Sequence, residues 1–140
     1  MLHDVGKLVL ATELDNPFQR VISSVQEQTA PFFEVEQNII GITHAEVEAY
    51  LLGIWGLPNP IVEAIAFHHR PQDFSRGEFN AVAAVHAANA LEYEMSVGIP
   101  SNTSNNRLNP EYLDLLGLNE RLPVWREVCG RIQHVEQTDD

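Results

Sequence analysis

Residues 43–71 read THAEVEAYLLGIWGLPNPIVEAIAFHHRP, and this stretch decides the fold. It opens with Thr43-His44-Ala45-Glu46, which fits a capping box: the threonine oxygen takes an orphan amide of the first turn and the glutamate reaches back. From there Val47, Leu51, Leu52 and Ile54 carry a helix to Trp55-Gly56. Leu57-Pro58-Asn59-Pro60 makes a tight corner into a second helix, Ile61 to His69, which Pro71 ends. Trp55 and Phe67 read as core residues of this pair. His44 falls in the first turn of one helix and His68-His69 at the end of the other.

Working outward, the rest of the chain is helical almost throughout, with no apolar–polar alternation that would mark a strand, so the fold class is all-α. Upstream, a first helix is under way at Leu2 and runs to about Thr12. A second runs from Pro17 to about Gln28 with Phe18, Val21, Ile22 and Val25 on one face, and a third from Pro31 through Ile40, ended by Gly41. Downstream, an alanine-rich helix from about Phe79 to Met95 carries His86 near its middle, and its alanines let another helix pack closely. Residues 98–109 turn to Ser, Asn, Thr and Pro and read as an exposed loop. Asn109-Pro110-Glu111 starts a short helix ending at Gly117, and Leu122 to Val135 forms the last. These two are too small for a second domain, so 1–140 reads as one domain with a helical extension over 110–136.

Composition agrees with a single globular domain: 140 residues that are 44% hydrophobic can close a core without disulfides. The 20 Asp and Glu against 8 Lys and Arg give a net charge of -12, a field that disfavours direct binding to nucleic acid or an anionic membrane. Cys129, the one cysteine, cannot form an internal disulfide. With no signal peptide and no apolar run of about 18 residues, the expected location is the cytoplasm.

Against that charge, Lys7 is the only lysine, and it stands in Leu2-His3-Asp4-Val5-Gly6-Lys7-Leu8. Four apart on a helix, His3 and Lys7 share a face, so His3 and Asp4 can bracket one ion with Lys7 beside it to neutralise a phosphate. Histidines and carboxylates returning from separate helices are how a helical bundle builds a metal site. His68 and His69, as helical neighbours, are awkward ligands for the same ion and suit two ions, or one ion and a substrate, as in a dinuclear centre that clamps a phosphoryl group.

His3-Asp4-Val5-Gly6-Lys7 resembles the HD signature of metal-dependent phosphohydrolases. Thr43-His44-Ala45-Glu46-Val47, Trp55-Gly56-Leu57-Pro58, Ile61-Val62-Glu63-Ala64-Ile65 and His68-His69-Arg70-Pro71 are similar, more narrowly, to the HDOD family, an HD-related output domain of bacterial signalling proteins. The resemblance covers most of residues 1–92 and implies an HD/HDOD-like helical bundle. It implies metal ligands at His3, Asp4, His44, His68 and His69, with His86 at a further ligand position, a divalent ion such as Fe, Mn, Zn or Mg, and Lys7 near the substrate phosphate. If the chain is an enzyme, Asp4 and Lys7 carry the catalysis.

Three departures from the relatives that hydrolyse cyclic dinucleotides favour a regulatory domain over an enzyme. No Gly-Tyr-Pro block follows His68-His69. His86 stands where those relatives carry an aspartate, and a neutral imidazole there weakens the hold on hard cations. The chain opens at the His-Asp motif without the upstream helix that supplies further ligands, so the expectation is the C-terminal part of an HDOD domain. An uncovered apolar face would then favour a homodimer or association with other signalling proteins, with a nucleotide as a further ligand.

Each residue also has a structural reading. His3-Asp4 can lock helices together as a satisfied polar cluster. His44 can cap or face solvent, His68-His69 can answer a helix dipole, and His86 can be core. Glu46 or Glu48 reads as a cap or surface group rather than a general base.

Overall fold

The computed structural model describes residues 2–27, 30–74, 77–96 and 108–136, and among them every regular element is helical. A 3-10 turn, Leu2–Asp4, leads into α1 (Val5–Glu13), followed by α2 (Asp15–Glu27), α3 (Phe32–Ile39), α4 (His44–Ile54) and α5 (Asn59–Phe67). A second 3-10 turn, Pro71–Asp73, precedes α6 (Ala81–Ser96), and α7 (Pro110–Leu115) and α8 (Leu122–Glu136) complete the chain. Most of the loop expected over 98–109 lies outside the described residues. None of the helices among the described residues is long and apolar enough to cross a membrane.

Helix α4 is the hub. It packs on α1 and α5, α5 packs in turn on α6, and α2 with α3 closes the other side. The capping box at its start is present in full: the Glu46 N–H donates to Thr43 Oγ1 at 3.2 Å, and the Thr43 N–H donates to Glu46 Oε2 at 2.8 Å. Its buried face is the first half only, His44, Ala45, Glu48 and Ala49. Glu48 is thus a buried residue rather than a surface one. Trp55, expected in the core, sits at the C-cap beyond that packed half and is 66% exposed. Phe67 is half-buried against Phe74.

The alanines of α6 serve as their spacing suggests, with Ala83, Ala87 and Ala90 buried and α5 packed close by. This helix starts at Ala81 rather than Phe79 because Asn80 Oδ1 takes the Ala83 N–H at 3.1 Å, an N-cap contact. Two further boundaries moved, and both matter for the site. The first helix proper begins at Val5, so His3 and Asp4 lie in a 3-10 turn and do not follow the α-helical spacing expected of them. Helix α5 begins at Asn59, with Pro60 in its first turn, and ends at Phe67. Pro71 disfavours helical backbone at Arg70, which has φ -130° and ψ 61°, so the helix stops at its C-cap His68, itself still helical in backbone, and turns beyond it.

Gly6 is where α1 and α4 meet most closely. A Cβ built on it would run into the backbone carbonyl of His44, and its own N–H donates to Glu48 Oε2 at 3.0 Å. Main-chain atoms cannot rotate out of the way as a side chain can. Gly6→Ala should therefore destabilise the fold by at least about 1–3 kcal/mol, as overpacking in a filled interior does. Thermal denaturation checks this, and an unchanged midpoint would show that α1 and α4 are not packed this tightly.

Candidate metal centre

Four side chains from three places in the fold converge at the α1–α4–α5 junction. Asp4, His44, His68 and His69 each offer a ligand atom, and these atoms all lie within 4.8 Å of one another. The turn beyond α5 makes this possible. At the C-cap and just beyond it, His68 and His69 bring ring centroids 3.9 Å apart at a 41° tilt and both face the cluster, where helical neighbours were expected to serve two ions, or one ion and a substrate.

Each imidazole is held from behind. His44 Nδ1–H donates to Glu36 Oε2 at 2.6 Å, which directs Nε2 inward. His68 Nδ1–H donates to the Ile65 carbonyl at 2.6 Å, leaving a buried Nε2 with no hydrogen-bond partner. The His69 ring lies parallel to Phe33 at 5.0 Å between centroids and puts its Nε2 2.9 Å from His44 Nε2. Asp4 Oδ1 lies 3.3 Å from His44 Nε2 and has no hydrogen bond of good geometry, although it is buried. The unpartnered Nε2 of His68 and the orphaned Oδ1 of Asp4 are costly in a protein interior unless something binds them. A cation held there would do so, and a set of three imidazoles and one carboxylate suits zinc or iron better than magnesium.

The electrostatics follow from burial. Burial opposes the charged form of Asp4, but the close approach of the His44 ring and the Lys7 ammonium outweighs it and holds the carboxyl well below its usual range. His44 is also penalised by burial, yet the carboxylates of Asp4 and Glu36 beside its ring raise it above the ordinary histidine value. For His68, burial dominates and lowers it to about 4. Burial, then the positive neighbours His68 and His44, pushes His69 far down.

Lys7 stands at the part-open side. Its Nζ is 2.9 Å from Asp4 Oδ2 and 5.3 Å from the centroid of Phe32, with side-chain exposures of 29% for Lys7 and 36% for Asp4. Two expected ligands have other partners. His3 Nε2 is 2.8 Å from Asn89 Oδ1 on α6, although its ring lies 5.2 Å from that of His68 and its Nδ1 is buried with no hydrogen-bond partner. His86 uses both nitrogens, Nδ1–H donating to the His68 carbonyl at 2.7 Å and Nε2 accepting the Asn109 N–H at 3.0 Å. His86 thus ties the His68 turn to the start of α7.

Sequence reasoning missed Glu36, which is fully buried. Its signal was position: Phe32, Val35, Glu36 and Ile39 form one helical stripe, and an acid within an apolar stripe needs a partner.

The sign of the pH response can be worked out for the metal-free protein. His68, His69 and His86 have folded values below the ordinary 6.5, so between 6.5 and about 4 the unfolded chain binds more protons and stability falls as pH falls. His44 acts in the opposite sense: the stability it contributes is present below 6.5 and is lost as pH rises through its raised folded value. Glu48, raised by burial, acts in the same sense as His44, while Asp4, held low, adds to the loss at the acid end, so the groups that lose stability towards acid outnumber those that gain it. In chelator, the melting temperature should drop steadily from pH 6.5 to 4, and a flat or rising profile would contradict this arrangement of charges.

Comparison with known proteins agrees with the motifs. An uncharacterized protein of Treponema pallidum (strain Nichols) is 28% identical over 69 residues, 49% of this chain but only 14% of that protein's length. No solved structure matches the chain. A sequence model of the HDOD domain matches residues 1–71, which hold all four converging side chains, and the chain belongs to the HDOD domain family.

Proposed function

We infer that this chain is a regulatory signal-transduction domain of a bacterial signalling protein or response regulator, acting through ligand or partner binding, with catalysis reduced or absent. The observation that carries this reading is the size of the cluster. Ligand atoms from Asp4, His44, His68 and His69 within 4.8 Å make a pocket for one ion. Of the other expected ligands, His86 is committed to the His68 carbonyl and Asn109 and His3 Nε2 to Asn89, so only the buried Nδ1 of His3 is left among them for a second ion. A two-metal clamp on a phosphoryl group needs ions roughly 3.5–4 Å apart, each with its own ligands.

A single ion held by residues from the N-terminal turn, α4 and the end of α5 ties those elements together. That suits a domain whose output is a change in helix packing. The surface supports a partner as well. Tyr50, Ile54 and Trp55, followed by Ile61 across the corner into α5, are 71%, 63%, 66% and 45% exposed, the kind of apolar surface a partner covers. A second copy of the chain or another cytoplasmic signalling protein fits this reading, with a nucleotide as a further ligand. Direct contact with nucleic acid or an anionic membrane does not fit a net charge of -12.

A second reading, a metal-dependent phosphohydrolase acting on a nucleotide or cyclic dinucleotide, is favoured by one observation. Lys7 places its ammonium 2.9 Å from Asp4 at the part-open side, where it can meet a phosphate. A divalent ion held here would supply Lewis acidity to a bound water. Asp4 and Lys7 would then be the catalytic pair.

Elemental analysis of protein purified without chelator or affinity tag, with Asp4→Ala alongside, should find one zinc or iron per chain that the variant loses. The loaded protein should not turn over cyclic dinucleotides. Steady turnover abolished by Asp4→Ala would move the phosphohydrolase reading to the front. For the partner surface, light scattering at several concentrations should show a species larger than one chain that Trp55→Asp reduces, and a strict monomer throughout would remove self-association.

A further inference from the structure

The cluster needs His44 to point one particular nitrogen inward, and the residue that makes it do so is an acid on a different helix. Glu36 is fully buried on α3, and its Oε2 takes two hydrogen bonds from the same residue: the His44 backbone N–H at 3.0 Å and the His44 Nδ1–H at 2.6 Å. His44 is the first residue of α4, so its amide is one of the orphan donors of a helix start. One carboxylate oxygen therefore fixes both the main chain and the ring of the same residue. Its other oxygen, Oε1, is buried with no hydrogen bond, so the pair with His44 carries the whole cost of burying this side chain.

Packing alone does not account for a carboxylate here. The neighbouring stripe positions, Phe32, Val35 and Ile39, are apolar, and an apolar residue at 36 would fill the same space while leaving the His44 amide and Nδ1 without this acceptor. What the acid adds is direction. A carboxylate accepts, so the proton sits on Nδ1 and the lone pair of Nε2 is available where His69 Nε2 and Asp4 Oδ1 stand 2.9 Å and 3.3 Å away. His68 shows the same device with a neutral acceptor, its Nδ1–H held by the Ile65 carbonyl. Histidine ligands are oriented in this way by carboxylates and carbonyls behind them.

We propose that Glu36 is a positioning residue of the metal centre, presenting Nε2 of His44 to one divalent cation shared with Asp4, His68 and His69. The inference rests on reading that cluster as a metal site. Glu36 touches no ion itself. It fixes which nitrogen His44 offers, and it adds a second negative charge, behind the ligand, to balance the dication.

The test uses Zn2+ alone, titrated against a chromophoric chelator, with the wild-type chain and Glu36→Gln. The amide keeps the size and one acceptor but removes the charge, so the variant should bind zinc about 10–100-fold more weakly, while its metal-free melting temperature stays close to wild type. A purely structural role would give the reverse, a lowered melting temperature with unchanged zinc affinity. Should Glu36→Gln fail to fold, the wild-type protein still decides the matter through 15N spectra of its histidine rings with zinc bound. His44 is expected to coordinate through Nε2 and keep its proton on Nδ1, and coordination through Nδ1 would overturn the proposal. Zinc bound equally well by both proteins overturns the role of Glu36 and leaves the metal site standing. No zinc bound by wild type overturns both.

Discussion

The structure turns on one buried imidazole. His44 has no exposed surface, and it occupies the first position of the helix that α1, α3 and α5 all pack against. Its backbone carbonyl is what forbids any side chain at Gly6, its amide and Nδ1 are tied to Glu36, and its Nε2 faces His69 and Asp4. A residue engaged on every side in this way is intolerant of small displacements, because protein interiors are packed as densely as organic crystals. The helix start beneath it is correspondingly well satisfied, with Glu36 on the first amide and Thr43 on the third.

From this anchor the site assembles without a dedicated loop. Gly6 lets α1 approach α4, which carries Asp4 to within 3.3 Å of His44. Phe32 and Phe33 at the start of α3 lie against His44 and His69 on that side. The chain turns beyond α5 ahead of Pro71 and delivers two histidines instead of one. The cluster is therefore a junction of helices as much as a pocket, and any ion held there also sets how they pack. His86 extends the junction, since its two hydrogen bonds join the His68 turn to Asn109, the residue that caps α7. Occupancy at the cluster and the position of the last helices thus share a common backbone segment, a connection that suits a regulatory domain.

Much of this was legible in the sequence because it is local. The capping box at Thr43, the Pro-rich corner and the stop ahead of Pro71 are interactions within a few residues, and the two helices they delimit are both present, α5 shifted by two residues at each end. His44, His68 and His69 were marked by type and spacing, and the blocks around them resemble the HDOD family to which the chain belongs. What escaped was non-local or decided within one turn. Glu36 looks like any helical acid until His44 is brought against it. His3 and His86 have the chemistry of ligands, but their partners, Asn89 and Asn109, are chosen by tertiary packing. His68 and His69 read as helix because the preceding apolar pattern runs on to them, whereas the restriction that Pro71 places on Arg70 ends the helix sooner. Trp55 belongs to the same class of miss, a large apolar side chain whose burial depends on a neighbour that α4 does not have at its far end.

The central claim, that Asp4, His44, His68 and His69 form a centre for one metal ion, is tested most directly by X-ray absorption fine structure on the zinc-loaded protein. The account predicts a first shell of three imidazole nitrogens and a carboxylate oxygen at about 2.0–2.2 Å, with the outer-ring scattering of histidine and no metal–metal component. A second metal at roughly 3.5–4 Å, or a first shell without histidine scattering, would contradict it.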